Sequence, residues 1–114
     1  MAIPIDVRGE AEAALEQFCS KHSSPDGADR LRYSYAFEAN AMVLLVQRPA
    51  FLNEQDWVSS PVAKFRYSGA RSEWSLYWRD STHRWQRVSN VKAAKQVTVL
   101  LQAVLTDSTG VFWS

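Results

Sequence analysis

The chain has 114 residues, 46% hydrophobic and 22% charged, with a formal net charge of +1. That length suits one compact domain with a single core, and the near-neutral total gives no ground for bulk affinity to nucleic acid or membrane. The single cysteine, Cys19, excludes an internal disulfide and a thiolate metal cage.

The opening residues, MAIPIDVRGEAEAALEQF, carry Asp6, Glu10, Glu12 and Glu16 where a secretion signal would have a basic start and an apolar run. No stretch approaches the ~20 apolar residues of a spanning helix, so a cytoplasmic protein that does not enter the membrane is expected. Asp6 is the expected N-cap of a first helix. Ala11, Ala14, Leu15, Phe18 and Cys19 then recur on one helical face. The helix should end near His22, ahead of the turn formers SSPDG.

Leu31, Tyr33, Tyr35 and Phe37 alternate with Arg32, Ser34, Ala36 and Glu38, the period of a strand with one buried face. EANA turns the chain, and Met42–Val46, apolar on both sides of the pleat, predicts a central strand that Pro49 ends. AFLNEQDW reads as a connector. PVAKFRY predicts a third strand, with Ala63, Phe65 and Tyr67 on one side and Val62, Lys64 and Arg66 on the other. After the turn SGARS, EWSLYWR predicts a fourth strand. Trp74, Leu76 and Trp78 share its buried side, and Ser75, Tyr77 and Arg79 the other. DSTH turns into a short fifth strand, RWQRV, in which the register of Trp85 stays open. A last helix follows, capped by Ser89 or Asn90, with Ala94, Val97, Leu101 and Val104 on its apolar face. Valine and threonine leave 96–101 open to a strand reading, which length and capping outweigh. STGVFWS closes the chain.

The architecture that follows is α+β in two layers. An N-terminal helix and a C-terminal helix pack on the same face of a five-stranded antiparallel meander, and the other face is left open.

Several residue patterns carry a family resemblance: RPAF, PVAKFRY, the Trp74-x-Leu76-Tyr77-Trp78 run, Trp85 and the GVFW ending. From EQFC in the first helix to that ending, the chain is similar to an uncharacterised bacterial family, the domain of unknown function numbered three-zero-two-four. Val111 stands where similar sequences usually have a cysteine, and SSPDG replaces a more basic stretch. The resemblance implies a bacterial, cytoplasmic, one-domain α+β protein and no particular activity or cofactor.

Catalytic chemistry finds little purchase in the residues. Cys19 lies on an apolar stripe, the place of a structural cysteine. His22 and His83 have no second ligand at metal-binding spacing, so no metal is expected; a helix end and a solvated turn account for them. The four glycines are isolated and form no phosphate-binding loop. No catalytic residue is assigned, and a non-enzymatic protein is favoured, with an enzyme whose site is not visible in the sequence as an alternative.

Charge is unevenly distributed. Five basic and nine acidic residues give Met1–Trp57 a net charge of −4, whereas eight basic and two acidic residues give Val58–Lys95 +6. The ordinary explanation is an acidic helix shielding a basic sheet. The alternative is a basic, aromatic docking face made by Lys64, Arg66, Tyr77, Arg79, Arg84 and Arg87. Such a face fits a protein partner, because Tyr, Trp and Arg anchor interfaces. A nucleic-acid partner is the second fit, although the motif grammar of the common sheet-based RNA modules is absent.

Overall fold

The computed structural model describes residues 3–22, 31–50 and 56–107. The SSPDG turn, most of the AFLNEQDW connector and the STGVFWS ending lie outside them.

Helix α1 spans Ile5–His22 and is followed by β1 (Arg32–Glu38), β2 (Ala41–Pro49), β3 (Trp57–Ser68), β4 (Glu73–Arg79), β5 (Trp85–Arg87) and α2 (Val97–Thr106). The strands form one antiparallel sheet in the order β1-β2-β3-β4-β5. Both helices pack on one of its faces, so the α+β meander expected from the sequence is the fold. No helix among the described residues is long and apolar enough to cross a membrane.

Helix α1 begins earlier than its expected cap. The Arg8 N–H donates to the Pro4 carbonyl at 2.8 Å, which places Asp6 inside the first turn instead of at the N-cap. There its carboxylate still suits the positive end of the helix dipole. Ala11, Leu15, Phe18 and Cys19 form the buried stripe.

The register assigns the sides of the sheet. Tyr33, Tyr35 and Phe37 stand opposite Val46, Leu44 and Met42. Met42 and Leu44 in turn meet Phe65 and Ala63, which meet Leu76 and Trp78, and Tyr67 meets Trp74. These side chains face the helices and join Leu15, Phe18, Leu100 and Val104 in one apolar cluster. Trp74 is 1% exposed and is the largest fully buried side chain among the described residues. Burying a side chain such as Phe65, Leu76 or Met42 contributes about 1.5–3 kcal/mol.

Two departures from the expected elements come from pairing with a neighbouring strand. Strand β3 starts at Trp57, four residues before Pro61, and the register with β2 shifts between Leu44 and Leu45. Leu44 pairs with Ala63 and Leu45 with Pro61, so Val62 is an extra residue, a β-bulge. The bulge tolerates a proline inside the strand. It also sends Val62 into the core cluster, away from Lys64 and Arg66 with which simple alternation grouped it.

The second departure is the start of α2, which begins at Val97 and not after Ser89 or Asn90. Residues 88–94 instead close the outer edge of β4. The Val88 N–H donates to the Leu76 carbonyl at 3.0 Å, and Ala94 exchanges two backbone hydrogen bonds with Trp74, at 2.7 and 2.9 Å. That pairing satisfies edge groups a helix would leave bare. From Val97 on, the segment is helical despite its β-branched residues, because Val97, Leu100, Leu101 and Val104 then share one buried face. Leu105, one residue past that face, is exposed.

Candidate functional site

Alternation along the strands sends a second set of side chains to the face without helices. Lys64 pairs with Val43 on one side and Tyr77 on the other; Arg66 stands between Ala41 and Ser75; Tyr77 meets Arg87, and Arg79 meets Trp85. No described element packs over them. Trp85 thereby acquires the register the sequence left open: it lies on the open face.

Side-chain length explains why this face is partly dry. Ala41 is 1% exposed and Val43 5%, although both point away from the helices. The Lys64 ammonium reaches across β2 to the Glu38 carboxylate at 3.0 Å and covers them with its aliphatic stem. It also lies 5.7 Å from the centre of the Trp85 ring, a cation–π distance. Lys64 is therefore held on both sides.

Arg66 and Arg87 are exposed, and no ion pair engages them among the described residues. Asn40, Lys64, Arg66, Tyr77 and Trp85 line a depression of ≈ 330 Å³. Arg66, Tyr77 and Asn40 continue into a second hollow beside Ser75 and Gly69. A third, wider hollow lies over Arg71, Ser75, Arg87 and Lys92. The Arg79 guanidinium is less free, and its Nε is buried without a hydrogen-bond partner among the described residues.

Five of the six residues singled out by sequence thus share one face. Arg84 does not join them by alternation: it falls in step with Gln86, which is opposite Trp78 on the helix side. Its backbone serves the β4–β5 turn. Asp80 Oδ1 accepts the Arg84 N–H at 3.0 Å, the Thr82 N–H at 2.9 Å and the Thr82 hydroxyl at 2.6 Å, and Oδ2 accepts the Gln86 amide at 2.9 Å. These bonds, that of the Thr82 hydroxyl first, hold the Asp80 carboxyl well below the usual range. His83 takes a left-handed conformation in this turn, φ 65°, and is exposed.

Three members of the face were not legible as such. Asn40 reaches it from the β1–β2 turn. Trp57, grouped with a connector, lies under the Arg32 guanidinium at 3.7 Å from the ring centre. Only the bulge at Val62 puts Trp57 and Pro61 on this side, and a bulge leaves no pattern in a single sequence.

The acidic helix does not shield the basic face. Helix α1 lies on the opposite side of the sheet, where Glu16 and Glu12 meet the Tyr35 hydroxyl at 2.9 and 3.1 Å. Desolvation and then these two carboxylates raise the pKa of that phenol, which stays protonated. The expectation of an internal charge match is corrected accordingly: of the acidic residues, Glu38 alone is seen to engage Lys64, and it sits on β1.

The remaining reactive groups are structural. Burial, aided by the Glu16 charge, pushes the Cys19 thiol up to about 11, so it is not a nucleophile at neutral pH. His22 packs against Phe18 with ring centres 4.6 Å apart. Among the described residues no group of three or more His, Cys, Asp or Glu side chains is placed to hold a metal ion.

The profile of an uncharacterised family, Domain of unknown function (DUF3024), matches residues 4–114, and the chain belongs to that family. Comparisons with curated proteins and with solved structures gave no match.

Proposed function

We propose that this member of the DUF3024 family is a non-enzymatic interaction module of the bacterial cytoplasm that docks an acidic protein surface on its open sheet face. The observation supporting this reading is that Arg66 and Tyr77, flanked by Trp85 and Arg87, stand together on a face no described element covers. Shallow hollows suit the knobs of a protein surface better than a small molecule, which prefers a deep enclosed site. Tyr, Trp and Arg at the centre of such a patch are the usual energetic anchors.

The test is a photo-crosslinking residue at position 75 in living cells, followed by reconstitution of the captured protein with the purified chain. The double variant Arg66→Ala, Tyr77→Ala should weaken that reconstituted complex by roughly 30-fold or more, the loss of about one strong anchor. An unchanged affinity rejects the proposal.

A second reading, a single-stranded nucleic acid, is favoured by one feature: the Tyr77 and Trp85 rings are interleaved with Lys64, Arg66 and Arg87 on one sheet face. Filter binding of single-stranded and duplex DNA and RNA at two salt concentrations decides it. Retention that falls steeply with salt supports this reading, and no retention at the lower salt removes it.

A further inference from the structure

Strand β5 ends the sheet on one side, and its outer edge presents a defined set of backbone groups. The Asp80 N–H donates to the Arg84 carbonyl at 2.9 Å, and the Val88 N–H to the Leu76 carbonyl at 3.0 Å. With Gln86 opposite Trp78, the hydrogen-bonded pairs of this ladder fall on Arg84, Gln86 and Val88. Trp85 and Arg87 hold the alternate positions, so their N–H and C=O groups point outward, away from β4. No described strand pairs with them. After Arg87 the chain turns aside: the Val91 N–H donates to the Val88 carbonyl at 3.3 Å, and Ala94 pairs with Trp74. An edge of this kind can accept an extended strand from another chain.

Charge selects the strand. Arg84 and Arg87 are both exposed, and the Asp80 carboxylate beside them has both oxygens engaged within the turn. The hollow next to Arg87 also holds Arg71, Glu73 and Lys92, and Glu73 is turned to Arg71 at 4.0 Å. Arg87 and Lys92 are left to meet a carboxylate. The other edge of the sheet, β1, is the opposite: Glu38 lies on it, and Glu12 and Glu16 stand at Tyr35. An acidic strand is therefore attracted to β5 and opposed at β1, and a second copy of β5 is repelled by like charge.

We propose that the docking segment of the partner is an extended acidic strand that adds antiparallel to the outer edge of β5. It exchanges N–H and C=O hydrogen bonds with Trp85 and with Arg87. Side chains opposite these two residues share the open face. The one opposite Arg87 is an aspartate or glutamate that reaches the hollow with Lys92. The one two positions later, opposite Trp85, is apolar and packs on the indole ring. The residue between them points to the helix side, with Gln86. The pairing rests on the docking of an acidic protein proposed above and fixes how one segment of that protein is held.

The probe is a capped peptide with glutamate, threonine and valine in that order, flanked by threonines. It is titrated into the full chain and followed by two-dimensional amide NMR. The Trp85 and Arg87 amides should shift saturably and exchange more slowly with solvent, with a dissociation constant of about 1 mM. N-methylation of the glutamate or the valine blocks an N–H aimed at β5 and should weaken binding by about 10-fold. N-methylation of the middle threonine, whose N–H points away, should change it by less than about 2-fold. Lysine in place of the glutamate should also cost about 10-fold, and Arg87→Glu should reverse the preference between the two peptides.

The pairing is overturned if the Trp85 and Arg87 amides show no saturable shift up to about 20 mM peptide. Equal losses from all three methylations also overturn it. So does protection of these amides that grows with protein concentration in the absence of peptide, because the occupant is then a second copy. The complex reconstituted with the captured protein separates the two proposals. Affinity lost in Arg66→Ala, Tyr77→Ala with Trp85 and Arg87 amides unprotected overturns the edge pairing and leaves the face docking in place. Protected amides with affinity unchanged in that variant support the pairing and reject the face.

Discussion

The two faces of the sheet use the same strands and alternate residues of them, yet they behave as different materials. On β4, Trp74 and Leu76 lie within a continuous apolar cluster, while Tyr77 between Leu76 and Trp78 lines an open hollow. On β3, Phe65 is fully buried and its neighbours Lys64 and Arg66 reach solvent to different degrees. The covered face is held mainly by packing, with the Tyr35 hydroxyl bonded to Glu12 and Glu16 at its margin, and none of its fully buried members among the described residues is charged. The open face is held by long side chains lying over small ones, as Lys64 lies over Ala41 and Val43. A mutation should therefore act through volume on one face and through charge and recognition on the other.

The largest effect is expected on the covered face. Trp74→Ala removes the fully buried ring against which Tyr67 packs, and should destabilise the protein by about 3–5 kcal/mol in urea or guanidinium titrations. A loss below about 1 kcal/mol would mean that the faces do not differ as described.

Next comes the turn that carries β5 to the sheet. Asp80→Asn should lower the melting temperature at pH 7. The folded-state pKa of Asp80 lies below its unfolded value, so its stabilisation is present above about pH 4 and is lost as pH falls through the folded value. The gap between variant and parent melting temperatures should narrow on acidification. A gap independent of pH would show that the charge plays no part.

On the open face the effects shrink. Lys64→Met breaks the pair with Glu38 but keeps the stem over Val43, and should cost about 0.2–1 kcal/mol, less at high salt. Equal cost at low and high salt would place the role of Lys64 in its stem alone. Arg66→Ala should leave the denaturation midpoint within about 0.5 kcal/mol of the parent while partner binding is weakened. A clear stability loss would make Arg66 a structural residue.

Much of this contrast was legible in the sequence, because the period of two in RLRYSYAF and EWSLYWR states which residues share a side. Lys64, Arg66, Tyr77, Arg79 and Arg87 could be grouped on that basis. The grouping failed where the pattern is short or broken. Arg84 precedes a strand of only three residues, too few to carry a period, and its place depends on hydrogen bonds to Asp80. Val62 and Trp57 changed sides through one extra residue in β3, which alternation cannot reveal.

By itself, then, the sequence determined the helix stripes of Ala11, Leu15, Phe18 and Cys19, the order of the strands and the two-faced character of β4, since each depends on residues near one another in the chain. The tertiary structure decided the rest. It placed the bulge opposite Leu44 and Leu45, set the start of α2 at Val97 by pairing Ala94 with Trp74, and put α1 across the sheet from the basic face. These features rest on contacts between residues far apart in sequence, where the geometry of a partner strand or helix, and not local preference, selects the conformation of lowest free energy.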